Sequence, residues 1–168
     1  MPQFYSMFTF NETLEQARER NIRDALLEDV GICDWTAQLI PSPQTATARV
    51  LVREAAVLCG CDWFTGCMQA VNPAVQVQWH YSEGQLMQPN TDVCHIQGDA
   101  RAILTAERSA LNFLQLLSAT ATITRRHADV VAQATSTSHT NANSEDNGKA
   151  SCIVLDTRKT IPGLRQAQ

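Results

Sequence analysis

Cations and hydroxyls crowd into one stretch, Leu155-Asp156-Thr157-Arg158-Lys159-Thr160-Ile161-Pro162-Gly163-Leu164-Arg165. Arg158 can fork onto a carboxylate or phosphate with two parallel hydrogen bonds, and Lys159 adds a movable point charge. The apolar run before them, Cys152 to Leu155, reads as a buried strand, and Pro162-Gly163 then turn the chain. The C-terminal ends of strands are where α/β folds place ligand sites, so an anion would be met here. The ordinary alternative is a solvated charge pair at a strand end. Lys149 and Lys159 are the only lysines, which makes Lys159 easier to single out.

Two other groups could do chemistry. Arg108 follows Glu107 on a helical pattern, and such a pair is commonly an exposed one worth little. Glu28-Asp29 and Asp34 surround a turn. Paired acids can bind a cation or move a proton, but no further ligands accompany these, and a solvated turn is the better reading. Six cysteines include no C-x-x-C pair; Cys59-x-Cys61 with Cys67 lacks the second pair a zinc site needs, and the four histidines have no ligand spacing. Reduced thiols and a cytoplasmic location follow as expectations. The net charge of −4 gives a nucleic-acid partner no global support. No run reaches membrane-spanning length, and the first ten residues make a poor signal peptide.

The elements that must position these residues can be read from periodicity. An irregular aromatic arm spans residues 1–10. Asn11 is a plausible cap for a helix carrying Leu14 and Ala17, and a second short helix holds Ile22, Ala25 and Leu26 up to Gly31. Ala46, Ala48, Val50 and Val52 alternate with Thr47, Arg49 and Leu51 as a strand, and Val75, Val77, Trp79 and Tyr81 alternate with Gln76, Gln78 and His80 as another. Between them, Asp62 is a candidate cap for a helix through Trp63, Phe64, Cys67 and Met68, stopped by Asn72-Pro73. Short strands are expected at 85–87 and 93–96. From 99 to 133 a stripe of Leu104, Leu111, Leu114, Leu117 and Ala121 predicts a long helix. After Ser118 the small residues mean either a break or very close packing. Thr135 to Ser151 is Ser/Thr/Asn-rich and reads as a mobile surface loop. The expected organisation is a first domain over 1–134, a mobile polar loop over 135–150, and a separate unit over 151–168.

Two stretches carry a family resemblance: Leu104-Thr105-Ala106-Glu107-Arg108-Ser109-Ala110-Leu111-Asn112-Phe113-Leu114, and Leu155 to Arg165. Together the chain resembles quinolinate phosphoribosyltransferase, also called nicotinate-nucleotide pyrophosphorylase (carboxylating), a decarboxylating pentosyltransferase of NAD biosynthesis. Weaker matches are Leu27-Glu28-Asp29-Val30-Gly31 with Asp34-Trp35-Thr36, Val57-Leu58-Cys59-Gly60, and Glu83-Gly84. The resemblance implies an α+β fold: an open-faced α/β sandwich, with an antiparallel sheet and helices on one face, followed by the first strand of a truncated α/β barrel. It implies quinolinate and phosphoribosyl pyrophosphate as substrates, magnesium as the metal, and a homodimer. Arg108 resembles the arginine lent across the dimer interface. Arg158 and Lys159 resemble the pair that meets the two substrates, with Lys159 as the catalytic residue and Thr160 beside it as a supporting substrate contact. Arg165 is a matched position without an assigned role. The family's further basic residues and its magnesium-holding acids would lie beyond Gln168, so the chain alone is expected to be inactive or nearly so. The alternatives are a non-catalytic dimerisation module that pairs with a full-length relative, or a transport-operon paralogue using another substrate.

Overall fold

The computed structural model describes residues 12–137, 153–155, 157 and 159–168. The expectations for the aromatic arm, the Asn11 cap, the polar loop from 138 onward, and Arg158 lie outside the described residues.

Helix α1 runs Leu14–Val30 as one element, where the periodicity suggests two. Arg18, Glu19 and Arg20 between the two apolar faces are good helix formers, and nothing there breaks the chain. Thr13 caps it: Gln16 N donates to Thr13 Oγ1 (3.2 Å) and Thr13 N donates to Gln16 Oε1 (3.0 Å), a reciprocal capping box. Gly31, at φ 56°, ends it. A one-turn helix, α2 (Trp35–Gln38), comes next, capped by Asp34.

The main sheet has three antiparallel strands in the order β1 (Thr45–Val52), β5 (Thr91–Asp99), β3 (Gln76–Trp79). Thr45 faces Asp99 and Gln76 faces Gln97, with an irregularity between Val50 and Leu51. A two-stranded ribbon pairs β2 (Ala56–Val57) with β4 (Leu86–Met87). Along β1 every second residue is shielded, which is the alternation that the sequence shows. Helix α3 (Cys61–Val71) and helix α4 (Ala100–Thr137) cover that inner side, and Leu58, Phe64, Met68, Val75 and Leu117 are fully buried among them. The cap of α3 is Gly60, at φ 102°, and not Asp62, which sits in the first turn and pairs with Arg18. This is the α+β sandwich with helices on one face.

Helix α4 passes the small-residue stretch unbroken and continues four residues past the expected end, through Thr137. Close packing explains the small side chains. Cys59 N donates to Ser118 Oγ (3.0 Å), Ser118 Oγ donates to Cys59 O (3.0 Å), and Val57 N donates to Thr122 Oγ1 (2.8 Å). Two helix hydroxyls thus satisfy the backbone at the end of β2, where no further strand does.

The described part of the expected barrel strand, residues 153–155, forms no strand, and Cys152 lies outside the described residues. Ile153, Val154 and Leu155 are in no strand and are 66%, 44% and 71% exposed. A strand apolar on both faces needs neighbours on either side, and no strand among the described residues pairs with this one. Turns hold residues 161–168 instead. Leu164 N donates to Ile161 O (3.0 Å), Ala167 N donates to Leu164 O (2.9 Å), and Leu164 and Ala167 pack on the core. This segment docks on α1: Asn21 Nδ2 donates to Gly163 O (2.9 Å), and Arg20 reaches the same oxygen at 3.4–3.5 Å.

Candidate functional site

Arg108 lies on the outer side of α4, one turn after Thr105. Its Nη1 is 3.0 Å from Asp29 Oδ1 in the last turn of α1, and its side chain is 74% exposed while that of Asp29 is 19% exposed. The ion pair therefore runs between helices and does not involve Glu107, the neighbour that sequence spacing proposes. Thr105 Oγ1 donates to Asp34 Oδ2 (2.8 Å), and Ala37 N donates to Asp34 Oδ1 (3.0 Å). These bonds, the Ala37 amide first and the Thr105 hydroxyl next, hold the Asp34 carboxyl below its ordinary pKa against partial burial, with the nearby Arg108 charge adding to the effect.

A cavity of about 550 Å³ opens between α1, α4 and the docked segment, and Arg108, Asp24, Glu28, Asp29, Asn112 and Gly163 are among its walls. A smaller one of about 350 Å³ lies on the other side of Arg108, with Asp34, Thr36 and Gln115. The structure thus brings Arg108 and the 162–164 backbone to one opening. It does not bring Lys159 or Thr160 there. Lys159 is exposed, with its amide donating to Thr157 Oγ1 (3.2 Å), and Thr160 is half-buried. Neither lines either cavity. Among the described residues, Arg108 is the one cation lining these two openings, amid several carboxylates.

Sequence reasoning takes Asp29 and Asp34 for a solvated turn; both in fact serve α4. It also passes over Asn21, which is buried, accepts from Trp63 Nε1 (3.4 Å) and donates to Gly163 O. A polar residue on the apolar side of an amphipathic pattern is the only available signal for it.

Glu83 gains a role that its Glu-Gly motif does not announce. Its carboxylate accepts from Gly60 N (2.6 Å) and Cys61 N (3.1 Å), so it caps the start of α3 from across the ribbon. Desolvation would raise its pKa, but hydrogen bonds from the Cys61 thiol, the Gly60 and Cys61 amides and the Cys59 thiol win, and the group is held below its ordinary value. Burial, then the bond to Glu83, pushes the Cys59 thiol up to about 12 and raises Cys61 as well. These thiols are donors to a carboxylate, not nucleophiles at neutral pH. Among the described residues, no group of three or more His, Cys, Asp or Glu is arranged to hold a metal ion.

Residues 34–118 match the family described as quinolinate phosphoribosyl transferase, N-terminal domain. A probable nicotinate-nucleotide pyrophosphorylase (carboxylating) of Synechocystis is 31% identical over 140 residues, which cover 83% of this chain and 42% of the relative. A chloroplastic nicotinate-nucleotide pyrophosphorylase (carboxylating) of rice, Oryza sativa, is 34% identical over 143 residues, 84% of this chain and 34% of the relative. The solved structure of the nicotinate-nucleotide pyrophosphorylase from Francisella tularensis superposes with a TM-score of 0.80 at 35% identity, over 94% of this chain and 50% of that one. The chain spans half or less of the length of each of these relatives.

Proposed function

The chain belongs to the quinolinate phosphoribosyl transferase family, matched through the N-terminal domain, and on that premise we propose that it presents Arg108 to a site where quinolinate meets phosphoribosyl pyrophosphate. The observation that carries this reading is the exposed guanidinium of Arg108, a residue within the matched domain, held at one nitrogen by Asp29 of α1. A guanidinium so placed offers a planar fork to a ring carboxylate or a phosphate. The reaction proposed is displacement of pyrophosphate at the sugar carbon by the pyridine nitrogen, followed by loss of CO₂ to give nicotinate mononucleotide. Positive charge grows on the sugar ring as pyrophosphate leaves, and positioned cations near the leaving group and the carboxylates lower the barrier. Lys159, Arg158 and Thr160 are assigned to the substrates' anionic groups. Magnesium would travel with the donor's pyrophosphate oxygens. The described residues do not hold it by themselves, so no step is derived through it.

Arg108 stands among Asp24, Glu28, Asp29 and Asp34, with Lys159 outside both cavities. Two anionic substrates would not gather there unaided. The arginine therefore serves a site completed by another subunit, which makes a dimer in the cytoplasm part of the proposal. No helix among the described residues is long and apolar enough to cross a membrane.

The test is donor-dependent conversion of quinolinate to nicotinate mononucleotide. It would be run on this chain alone, and on this chain mixed with a full-length relative whose own corresponding arginine has been replaced. No rate alone and a restored rate on mixing is the expected pattern. Restoration by an Arg108→Gln chain to the same extent would refute the assignment.

A further inference from the structure

Helix α1 ends in a way that its own electrostatics oppose. Its last turn holds Glu28 and Asp29 and no basic residue. A helix C-terminus carries partial negative charge, and carboxylates there are unfavourable. Local rules broken without a local gain mark places where something else is being served. The structure shows what is served here. Asp29 is largely shielded and reaches Arg108 Nη1, which brings a cation from α4 to that helix end. Asp34, after the Gly31 turn, is tied to α4 through Thr105, three residues before Arg108. Two carboxylates of the Leu27–Thr36 stretch thus hold two points on one face of α4.

We propose that Asp29 is a positioning residue for Arg108: by occupying Nη1 it leaves the Nε–Nη2 edge of the guanidinium turned outward for a carboxylate or phosphate of the ligand, with the Asp34–Thr105 bond fixing the helix face from which Arg108 projects. The inference rests on the proposed role of Arg108 and goes further, because it assigns a task to the acidic motif. A long, rotamer-rich side chain loses freedom when it is pinned, and a ligand that meets it already pinned bears less of that cost. The opposite role is physically available to the same carboxylate. Asp29 could compete with an anionic ligand for Arg108, and removing it would then tighten binding. The sign of the effect separates the two.

The experiment uses the full chain labelled with ¹⁵N-arginine, mixed with the unlabelled full-length relative whose own corresponding arginine has been replaced, so that the completed site is present. Two readouts are followed: solvent exchange at Arg108 Nη1–H, the group that faces Asp29, and displacement of the guanidinium resonances by added quinolinate. The variants are Asp29→Asn, Asp29→Glu and Arg108→Lys, each checked for a dispersed, folded spectrum. With Asp29→Asn the exchange is expected to quicken about 3- to 5-fold and quinolinate to bind about 2- to 5-fold more weakly, the scale of one partly exposed ion pair. Asp29→Glu should recover most of both. Unchanged exchange in Asp29→Asn would overturn the positioning role, and so would tighter quinolinate binding. Arg108→Lys decides the underlying reading separately. If quinolinate shifts the rest of the spectrum equally with and without the arginine, Arg108 does not contact it, while the exchange rates still report whether Asp29 holds the side chain.

Discussion

Replacing Glu83 by glutamine changes one charge and almost no volume, and it should reveal how the start of α3 is held. In the wild type the carboxylate accepts from two backbone amides that have no partner within the helix, Gly60 N at 2.6 Å and Cys61 N at 3.1 Å. A glutamine carbonyl can keep one acceptor, but its amide group offers donors to the Cys59 and Cys61 thiols where the carboxylate accepted from them. The loss is that of a charged cap, less the screening that a partly wet site allows, about 1–2 kcal/mol. For a chain of this size that is a fall in melting temperature of about 2–8 °C. The pH dependence fixes the cause. Because the Glu83 carboxyl is held below its ordinary pKa in the fold, its contribution is present above the unfolded value and is lost as pH falls through the folded one. The gap between wild type and Glu83→Gln should therefore be full above about pH 5 and close well below about pH 4. Thermal unfolding followed by circular dichroism from pH 3 to 7 measures it. A gap of equal size at both ends of that range would show that charge is not what Glu83 supplies. No gap at pH 7 would remove the cap altogether.

Two further substitutions probe the contacts that place the candidate site. Ser118→Ala strips both hydrogen bonds from the Cys59 backbone and should cost about 1–3 kcal/mol in chemical denaturation; a cost under about 0.5 kcal/mol would mean that water replaces the hydroxyl there. Asn21→Leu keeps the size but frees the Gly163 carbonyl. Amide exchange at Leu164, Ala167 and Gln168 should rise roughly fivefold, the worth of about 1 kcal/mol, and exchange as slow as in the wild type would show that Arg20 and the Leu164 packing suffice.

The sandwich was readable because its elements bury one face each. Period-two alternation at Ala46 to Val52 predicts the face that packs, partly buried, on the core, and of the leucine stripe of α4 Leu114 and Leu117 are buried and Leu111 partly so, while Leu104 lies off the core face that Ile103, Ala106, Ala110 and Phe113 complete. Caps were harder. Thr13 and Asn11 are both competent residues, and Asp62 looks like a cap while Gly60 fills that place, because its amide is met by Glu83 from a distant turn that no local pattern reveals. The apolar run ending at Leu155 reads as a strand, since composition reports what a segment could bury and not whether a neighbour is there to pair with it. In the candidate site, Arg108 was legible only through its motif. Asp29 was visible as a residue type, but its partner is 79 positions away, and pairing at that separation is settled by how α1 crosses α4.

The side of α4 that leans on β2 has a mechanical consequence. Thr120 Oγ1 donates to Leu116 O (3.0 Å) and Thr122 Oγ1 to Ser118 O (2.6 Å), so two hydroxyls draw on carbonyls that belong to the helix ladder. Back-bonding of this kind favours a slight curve. Past this point the helix runs on to Thr137 with Ile123 and Val130 exposed. Fifteen residues at the helical rise make an arm of about 22 Å, so each degree of bend at Thr122 carries the far end about 0.4 Å sideways. Thr122 thus acts as the fulcrum of a lever: its hydroxyl is clamped to Val57 of the ribbon on one side and sets the heading of everything beyond it on the other.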